Sequence, residues 1–334
     1  TVSLALRHDK RIPLKRRQEI QAAAKKLNYV TNHFARSLAG GGTRILGIMV
    51  QSMDNLFFAP YLEEFYAIAE QRDYALAVQI SFWNTERERN ILEHFCQTRM
   101  EGVIWSSAEQ NRPDIKVSLE ILEKHSIPNV MLHGGADCIK YANSTVGTDN
   151  GASLHLGLRY LYDLGHRRIA VVSVADTKTR RGIQHNAMLN TVRKGMQDLG
   201  LVFDPALCFC LSENAYGGVK VAGALAAMAP MQRPTAVFAL DDQLARALVS
   251  GLELIGMPPP NPISVLGFDN APGAELGTIP ITTVSLEQRK CAREAIETLF
   301  TTIDDPAFEP VHKRIPTRII ERASCSRLDA SLSV

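Results

Sequence analysis

Several signals are missing from this 334-residue sequence, and each absence removes a class of protein. No apolar run approaches the about 20 residues that cross a bilayer, and no apolar core follows the basic N-terminus as in an export signal. A cytoplasmic location without membrane attachment is expected. The six cysteines, Cys96, Cys138, Cys208, Cys210, Cys291 and Cys325, are too scattered for a disulfide framework. Cys208 and Cys210 form a lone Cys-x-Cys with no second pair or nearby His-x-x-x-His, which is poor support for zinc. All six are read as buried or incidental thiols in a reducing compartment, and no metal or cofactor is expected. The first apolar run is not followed by Gly-x-Gly-x-x-Gly, and neither Gly-x-x-x-x-Gly-Lys-Ser/Thr nor Gly-x-Ser-x-Gly occurs. His94, His125 and His166 lack the spacing of a metal site or triad. The sequence does not read as an enzyme.

The chain is 46% hydrophobic and long enough for two packed lobes plus an appendage. Its net charge of +2 conceals an asymmetry. Residues 1–42 carry nine Lys or Arg against Asp9 and Glu19, which is +7, so the remainder is 2 − 7 = −5. A basic arm on a mildly acidic body suits a polyanionic partner for the arm, although a solvated basic helix has the same composition.

Thr1 to Leu6 has helix-compatible spacing and ends in the polar turn His8-Asp9-Lys10-Arg11. A second helix follows, with Pro13 at its first position and Ile20, Ala23, Ala24 and Leu27 forming one apolar stripe. Asn32 can cap a short third helix running toward Leu38, closed by Gly40-Gly41-Gly42. Alone in water such a helix is unstable. From Arg44 onward, apolar runs alternate with helical patterns. Strands are predicted at 45–50, 75–80, 102–105 and 129–132, then, after Thr148-Asp149-Asn150 and a helix over 151–164, at 169–174, 236–240 and 263–268. Leu62, Phe65, Tyr66 and Ala69 are predicted to share one helix face. Near-continuous apolar strands alternating with helices imply parallel sheets covered on both faces, and two such runs imply two α/β lobes.

An ordered set of motifs then carries a resemblance across almost the whole chain. It comprises Thr1-Val2-Ser3, Leu27-Asn28-Tyr29, Asn32, Ala35-Arg36-Ser37-Leu38, Asn55-Leu56-Phe57-Phe58, Asp149-Asn150 and Leu164-Gly165-His166-Arg167-Arg168-Ile169-Ala170. It continues through Pro234-Thr235-Ala236-Val237-Phe238, Leu266-Gly267-Phe268-Asp269-Asn270 and Ile281-Thr282-Thr283-Val284. The chain resembles the LacI/GalR family of bacterial transcription regulators. The resemblance implies an α/β body of two Rossmann-like lobes of periplasmic-binding-protein type, preceded by a partial helix-turn-helix headpiece and a hinge helix. The domains expected are 1–31 for the headpiece, 32–43 for the hinge, 44–147 plus 281–308 for the N-terminal lobe, 148–280 plus 309–326 for the C-terminal lobe, and 327–334 for a tail.

In that family a recognition helix enters the major groove and paired hinge helices enter the minor groove. The resemblance therefore assigns contact with a double-stranded DNA operator to Thr1, Ser3, Tyr29, Asn32, Ala35, Arg36 and Leu38. Leu38 is the expected wedge between base steps, Ala35 lets two hinges approach, and Arg36 lies near the phosphates. By the resemblance Thr1 falls inside the recognition helix, so the expectation is a fragment or mis-assigned start, the alternative being a protein that has lost specific DNA binding. Leu4 stands where many members carry arginine, and Thr31 where many carry proline. A homodimer is implied, with contacts mainly from the N-terminal lobe.

Ligands in open parallel sheets bind beyond the carboxyl ends of strands. That rule and the resemblance point to Asn55, Phe57, Phe58, Trp83, Asp241 and Asp269 as contacts for a small effector, expected to be a sugar or sugar derivative. Aromatic rings stack on an apolar ligand face and carboxylates accept hydroxyl hydrogen bonds. Phe58 also fits a core position, Asp242 a helix cap, Asp241 a solvated surface and Trp83 an ordinary half-buried site. The arginine by which many members hold the ligand is replaced by Val192, with Arg193 beside it. The preceding stretch, 176–190, reads as a long loop whose Arg180, Arg181 and His185 either substitute for it or decorate the surface. The function expected is a ligand-responsive repressor of carbohydrate-use genes. The competing reading is a solute-binding protein built on the same body, for which residues 1–42 would have no use.

Overall fold

The computed structural model describes residues 5, 11–27, 42–53, 56–107, 115–134, 144–174, 180–211 and 217–328, with 25 and 180–185 as backbone alone. Thr1–Arg44 and Ile45–Val334 are separate compact units. In the first, Pro13 precedes helix α1 (Leu14–Lys26), and the Arg17 amide donates to the Pro13 carbonyl at 3.0 Å. The expected apolar stripe is open to solvent: Ile20 and Ala24 are half-buried, and Ala23 and Leu27 are exposed. Gln21 Nε2 donates to the carbonyl of buried Ala5 at 3.2 Å.

The second unit holds two six-stranded sheets. The first runs β11 (His312–Arg314), β5 (Ser144–Gly147), β4 (Asn129–Leu132), β3 (Gly102–Trp105), β1 (Ile45–Val50) and β2 (Ala75–Ile80), all parallel. The second runs β12 (Arg318–Ile320), β10 (Thr282–Ser285), β9 (Ser264–Asp269), β8 (Ala236–Ala239), β6 (Ile169–Val174) and β7 (Cys208–Leu211), with β12 alone antiparallel. Helices cover both faces, as the continuous burial of β1, β3 and β6 requires. On the first sheet, α2 (Ala59–Gln71) and α9 (Gln288–Asp304) pack on Leu46, Ile48 and Ile104. On its other face, α3 (Thr85–Gln97) and α4 (Ile115–Lys124) enclose Met49 and Trp105. Gly47 makes room there: a Cβ would lie 2.7 Å from the Phe95 ring. The second sheet is covered by α7 (Gly217–Ala227) and α8 (Asp242–Leu254) on one face, and by α5 (Asn150–Asp163) and α6 (Arg180–Asp198) on the other. Among the described residues no helix is long and apolar enough to cross a membrane.

Three expectations are altered. Tyr66 is 52% exposed, because α2 begins at Ala59 and turns Tyr61, Glu64, Phe65 and Ala69 inward. Glu64 is tolerated there because Arg293 Nε donates to it at 2.8 Å. Residues 180–190, expected as loop, belong to α6, whose Val192 is fully buried in the core. Lobe membership near the C-terminus differs from the expected ranges at two strands: β10 joins the second sheet through β9 and β11 joins the first through β5, while α9 packs on the first sheet and β12 pairs in the second. Strands of three or four residues carry no local mark of the sheet they will join.

Candidate functional site

The carboxyl ends of β1 and β9 bring two of the sequence-predicted residues to one place. Phe57, after β1, packs against the cores of both lobes. Its ring lies 5.0 Å from Phe58, 5.6 Å from Tyr61 and 5.7 Å from His133. His133 is the first residue beyond β4, at φ 55°, and its Nε2 shares a 2.7 Å hydrogen bond with the Tyr61 hydroxyl. Asp269 closes β9 at φ 106°, a region an L side chain enters at a cost of about 1–3 kcal/mol and one met at functional sites. Gln288 Nε2 donates to its carbonyl, and Arg322 Nη2 donates to the side chain of the next residue, Asn270, at 2.8 Å. Burial pushes the Tyr61 phenol well above its ordinary value, and Cys291 and then the Asp269 carboxylate of the other lobe, which lies within electrostatic reach, add to the rise. Burial, reinforced by Arg314, lowers His133 to about 4 and keeps the imidazole neutral near pH 7. An aromatic wall, a neutral imidazole and an opposing carboxylate can hold a small molecule with one apolar face and hydroxyl donors.

Beside this wall, at the ends of β1, β2 and β3, polar side chains are committed to one another. Gln51 Nε2 donates to the Ser107 carbonyl at 2.7 Å and Ser106 Oγ donates to Gln51 Oε1 at 3.1 Å. Ser107 Oγ donates to the fully buried Glu88 at 2.6 Å.

The other predicted residues separate. Phe58 is 3% exposed and belongs to the first lobe's core, so its expected effector contact is replaced by packing. Asp241 is likewise corrected: buried, it caps α8 by accepting the Leu244 amide at 2.7 Å. The cap had been expected at Asp242, which instead braces three elements, accepting Thr283 Oγ1 at 2.7 Å and the Ala271 amide at 2.8 Å. Trp83 follows β2, half-buried at φ 59°, with its Nε1 shielded from solvent and without a hydrogen-bond partner. Arg193 is exposed and lies over the Phe203 ring at 4.6 Å. Asn55, Thr1, Ser3, Tyr29, Asn32, Ala35, Arg36 and Leu38, with the side chains of Arg180, Arg181 and His185, lie outside the described residues. Tyr61 and His133 escaped the sequence reading. The strand-end rule would have found His133 one position past Leu132, whereas Tyr61 lay in a helix whose start was not predicted.

Burial raises Asp242 from 3.8 to about 7, and the hydrogen bonds from Thr283 and Ala271 only partly oppose it. Between those two values the folded state holds a proton that the unfolded chain has released, so this carboxyl's contribution to stability falls as pH rises. The full span corresponds to roughly 4 kcal/mol. Urea titrations of Asp242→Asn and its parent should show the difference in unfolding free energy shifting in favour of the variant from pH 4 to 7.5. A constant difference would rule out the buried proton.

Comparison with known proteins places this geometry among relatives. Residues 158–325, half of the chain, match the profile of a family described as a periplasmic binding protein-like domain. The chain is 26% identical over 330 residues to the HTH-type transcriptional repressor PurR of Vibrio parahaemolyticus, covering 98% of this chain and 95% of the relative. Among solved structures, the lac repressor dimer bound to operator and the anti-inducer ONPF superposes with a TM-score of 0.79 at 18% identity, covering 97% of this chain and 94% of that one. A LacI family transcriptional regulator from Lactobacillus casei with bound sucrose gives 0.72 at 24% identity, covering 84% and 99%.

Proposed function

Because this chain belongs to the LacI/GalR family of transcriptional regulators, with a periplasmic binding protein-like body, we propose that it represses carbohydrate-use genes in the cytoplasm and responds to a sugar or sugar derivative held at Phe57 and Asp269. The observation that carries this reading is the packing of Phe57 against Tyr61 and His133 at the ends of the first lobe's strands, with the Asp269 carboxylate of the other lobe within electrostatic reach of Tyr61. Among the described residues the chain passes between the lobes three times, after β5, β10 and β11. A ligand that binds one lobe angle better than another shifts that angle's population. Through the segment 32–43 such a shift would alter the grip on DNA, with Leu38 as the minor-groove wedge. The +7 charge of residues 1–42 supports the DNA partner.

A homodimer is part of this reading. Apolar side chains stand exposed on both lobes: Tyr66 and Phe82 on the first, Leu254 and Leu276 on the second. A hydrogen bond from Thr278 to Glu253 holds the segment after Leu276 against the end of α8, so the latter two belong to one surface.

The test is a thermal-shift panel of mono- and disaccharides, followed by selection of bound DNA from a genomic library with and without any hit. Ligand at 100 times its Kd stabilises by roughly 2.7 kcal/mol, a shift of several degrees. The expected result is a saccharide that raises Tm and changes the recovery of a discrete DNA site. Recovery of no discrete site would sink the repressor reading, and a panel without any shift would sink the sugar. Phe57→Ala should weaken the responding ligand ~10-fold in calorimetry, the scale of a lost aromatic contact and its buried area.

A further inference from the structure

We propose that Cys208 and Cys210 form a two-thiolate chelate for a soft, closed-shell metal ion of the Cu(I) type. The two residues stand on β7, the edge strand of the second sheet, where they pair with Val171 and Ser173 of β6. Residues two apart on a strand share a face, and here the Sγ atoms are 3.8 Å apart. Thiolates about 2.3 Å from one ion stand about 3.8 Å apart at a tetrahedral angle and about 4.6 Å apart when the ion lies between them in line, so the pair stands within chelating range and a small rotation of the exposed Cys210 side chain opens it to the linear arrangement. Cys210 is exposed and Cys208 half-buried, which leaves the pair open to an ion from solvent.

The same spacing argues against a disulfide. That bond needs sulfurs at about 2.05 Å and Cα atoms within about 6.8 Å. Two residues of extended strand already span about 6.6 Å, at the far end of the range. The chemistry of the surroundings selects the ion. Among the described residues no group of three His, Cys, Asp or Glu gathers anywhere. An ion requiring four protein donors, as structural Zn(II) does, is poorly served, and hard ions seek oxygen ligands. Thiolate donors select soft ions, of which Cu(I) accepts two. The step is M⁺ + 2 RSH → [M(SR)₂]⁻ + 2 H⁺: two S–H bonds are exchanged for two S–M bonds, and nothing is oxidised. Cys96 and Cys291, by contrast, are buried.

The experiment titrates the reduced full chain with Ag(I), a redox-inert probe of the same class, and reads stoichiometry and competition by native mass spectrometry. Parallel titrations use Zn(II) and the variants Cys208→Ser and Cys210→Ser, with circular dichroism confirming that each is folded. The expected result is a first Ag(I) equivalent bound by the parent with loss of two protons. It should weaken by roughly 100-fold or more in each variant, the loss expected when one of two linked donors is removed, while Zn(II) binds more weakly than Ag(I) throughout. Parental Ag(I) affinity in either variant would overturn the proposal. So would equal affinity for Zn(II), or a parent mass lower by the two thiol hydrogens and unresponsive to Ag(I), which would mark a disulfide. Exposed Cys210 can be replaced with little effect on the core, so its variant alone decides the matter if Cys208→Ser does not fold.

Discussion

Replacing Asp269 with alanine is expected to lower effector affinity by roughly 100-fold or more while leaving a folded protein. Hydrogen bonds to a charged acceptor contribute about 1.5–3 kcal/mol each, so losing two reaches that scale. The position offers a sharper experiment than alanine alone. At φ 106° the backbone is strained for any side chain and relaxed for glycine. Asp269→Gly should therefore lose the ligand and at the same time raise stability by up to about 1 kcal/mol, an opposition that a purely structural role would not produce. Calorimetry with the saccharide identified by thermal shift gives the first quantity and urea denaturation the second. Retained affinity in both variants would remove Asp269 from the site. Reduced stability in Asp269→Gly would show that the side chain serves the fold.

Two glycines of α7 should respond to alanine with opposite signs. Helix propensity alone favours Ala over Gly by about 1 kcal/mol at either position. Gly223 is exposed with nothing within 4 Å of an added Cβ, so Gly223→Ala should gain up to that amount. At Gly218 the same atom would lie 2.7 Å from the carbonyl carbon and the Cβ of Ala247, against the backbone of α8. Backbone cannot turn aside as a long side chain can. Across the same crossing, Gly251 would place a Cβ 2.8 Å from that of Ala222, so neither helix can withdraw without opening the second lobe's core. Gly218→Ala is expected to cost about 3 kcal/mol or more, the upper range for overpacking. Chemical denaturation of the two variants side by side checks the contrast. A loss of less than about 1 kcal/mol at Gly218 would mean that the helices separate more easily than their spacing implies.

Several strands were legible because their apolar runs are continuous. The predicted ranges 45–50, 75–80, 102–105, 129–132 and 169–174 coincide with β1, β2, β3, β4 and β6. The short strands β5, β7, β10, β11 and β12 escaped, since three or four residues are too few to make a distinct run. Phe57 and Asp269 were singled out because each follows a strong strand signal. Phe58 and Asp241 follow equally strong ones yet turn to the core and to a helix cap, because adjacent residues leave a strand end in different directions. In the same way the cap expected of Asp242 falls to Asp241, and Asp242 braces neighbouring elements instead.

What the order of residues determined by itself was whatever depends on near neighbours: the alternation of buried runs and helices, the two α/β lobes it implies, and the basic arm ahead of an acidic body. What the tertiary structure alone decided was which sheet receives β10, β11 and β12, and which side chains meet. Tyr61 reaches His133 across 72 positions of sequence, and Phe57 packs against the cores of both lobes. Cys208 and Cys210 looked incidental until strand geometry placed their sulfurs on one exposed face. Periodicity records how a segment presents itself to a core, but contacts between distant segments depend on how the finished layers pack, and no short stretch of chain encodes them.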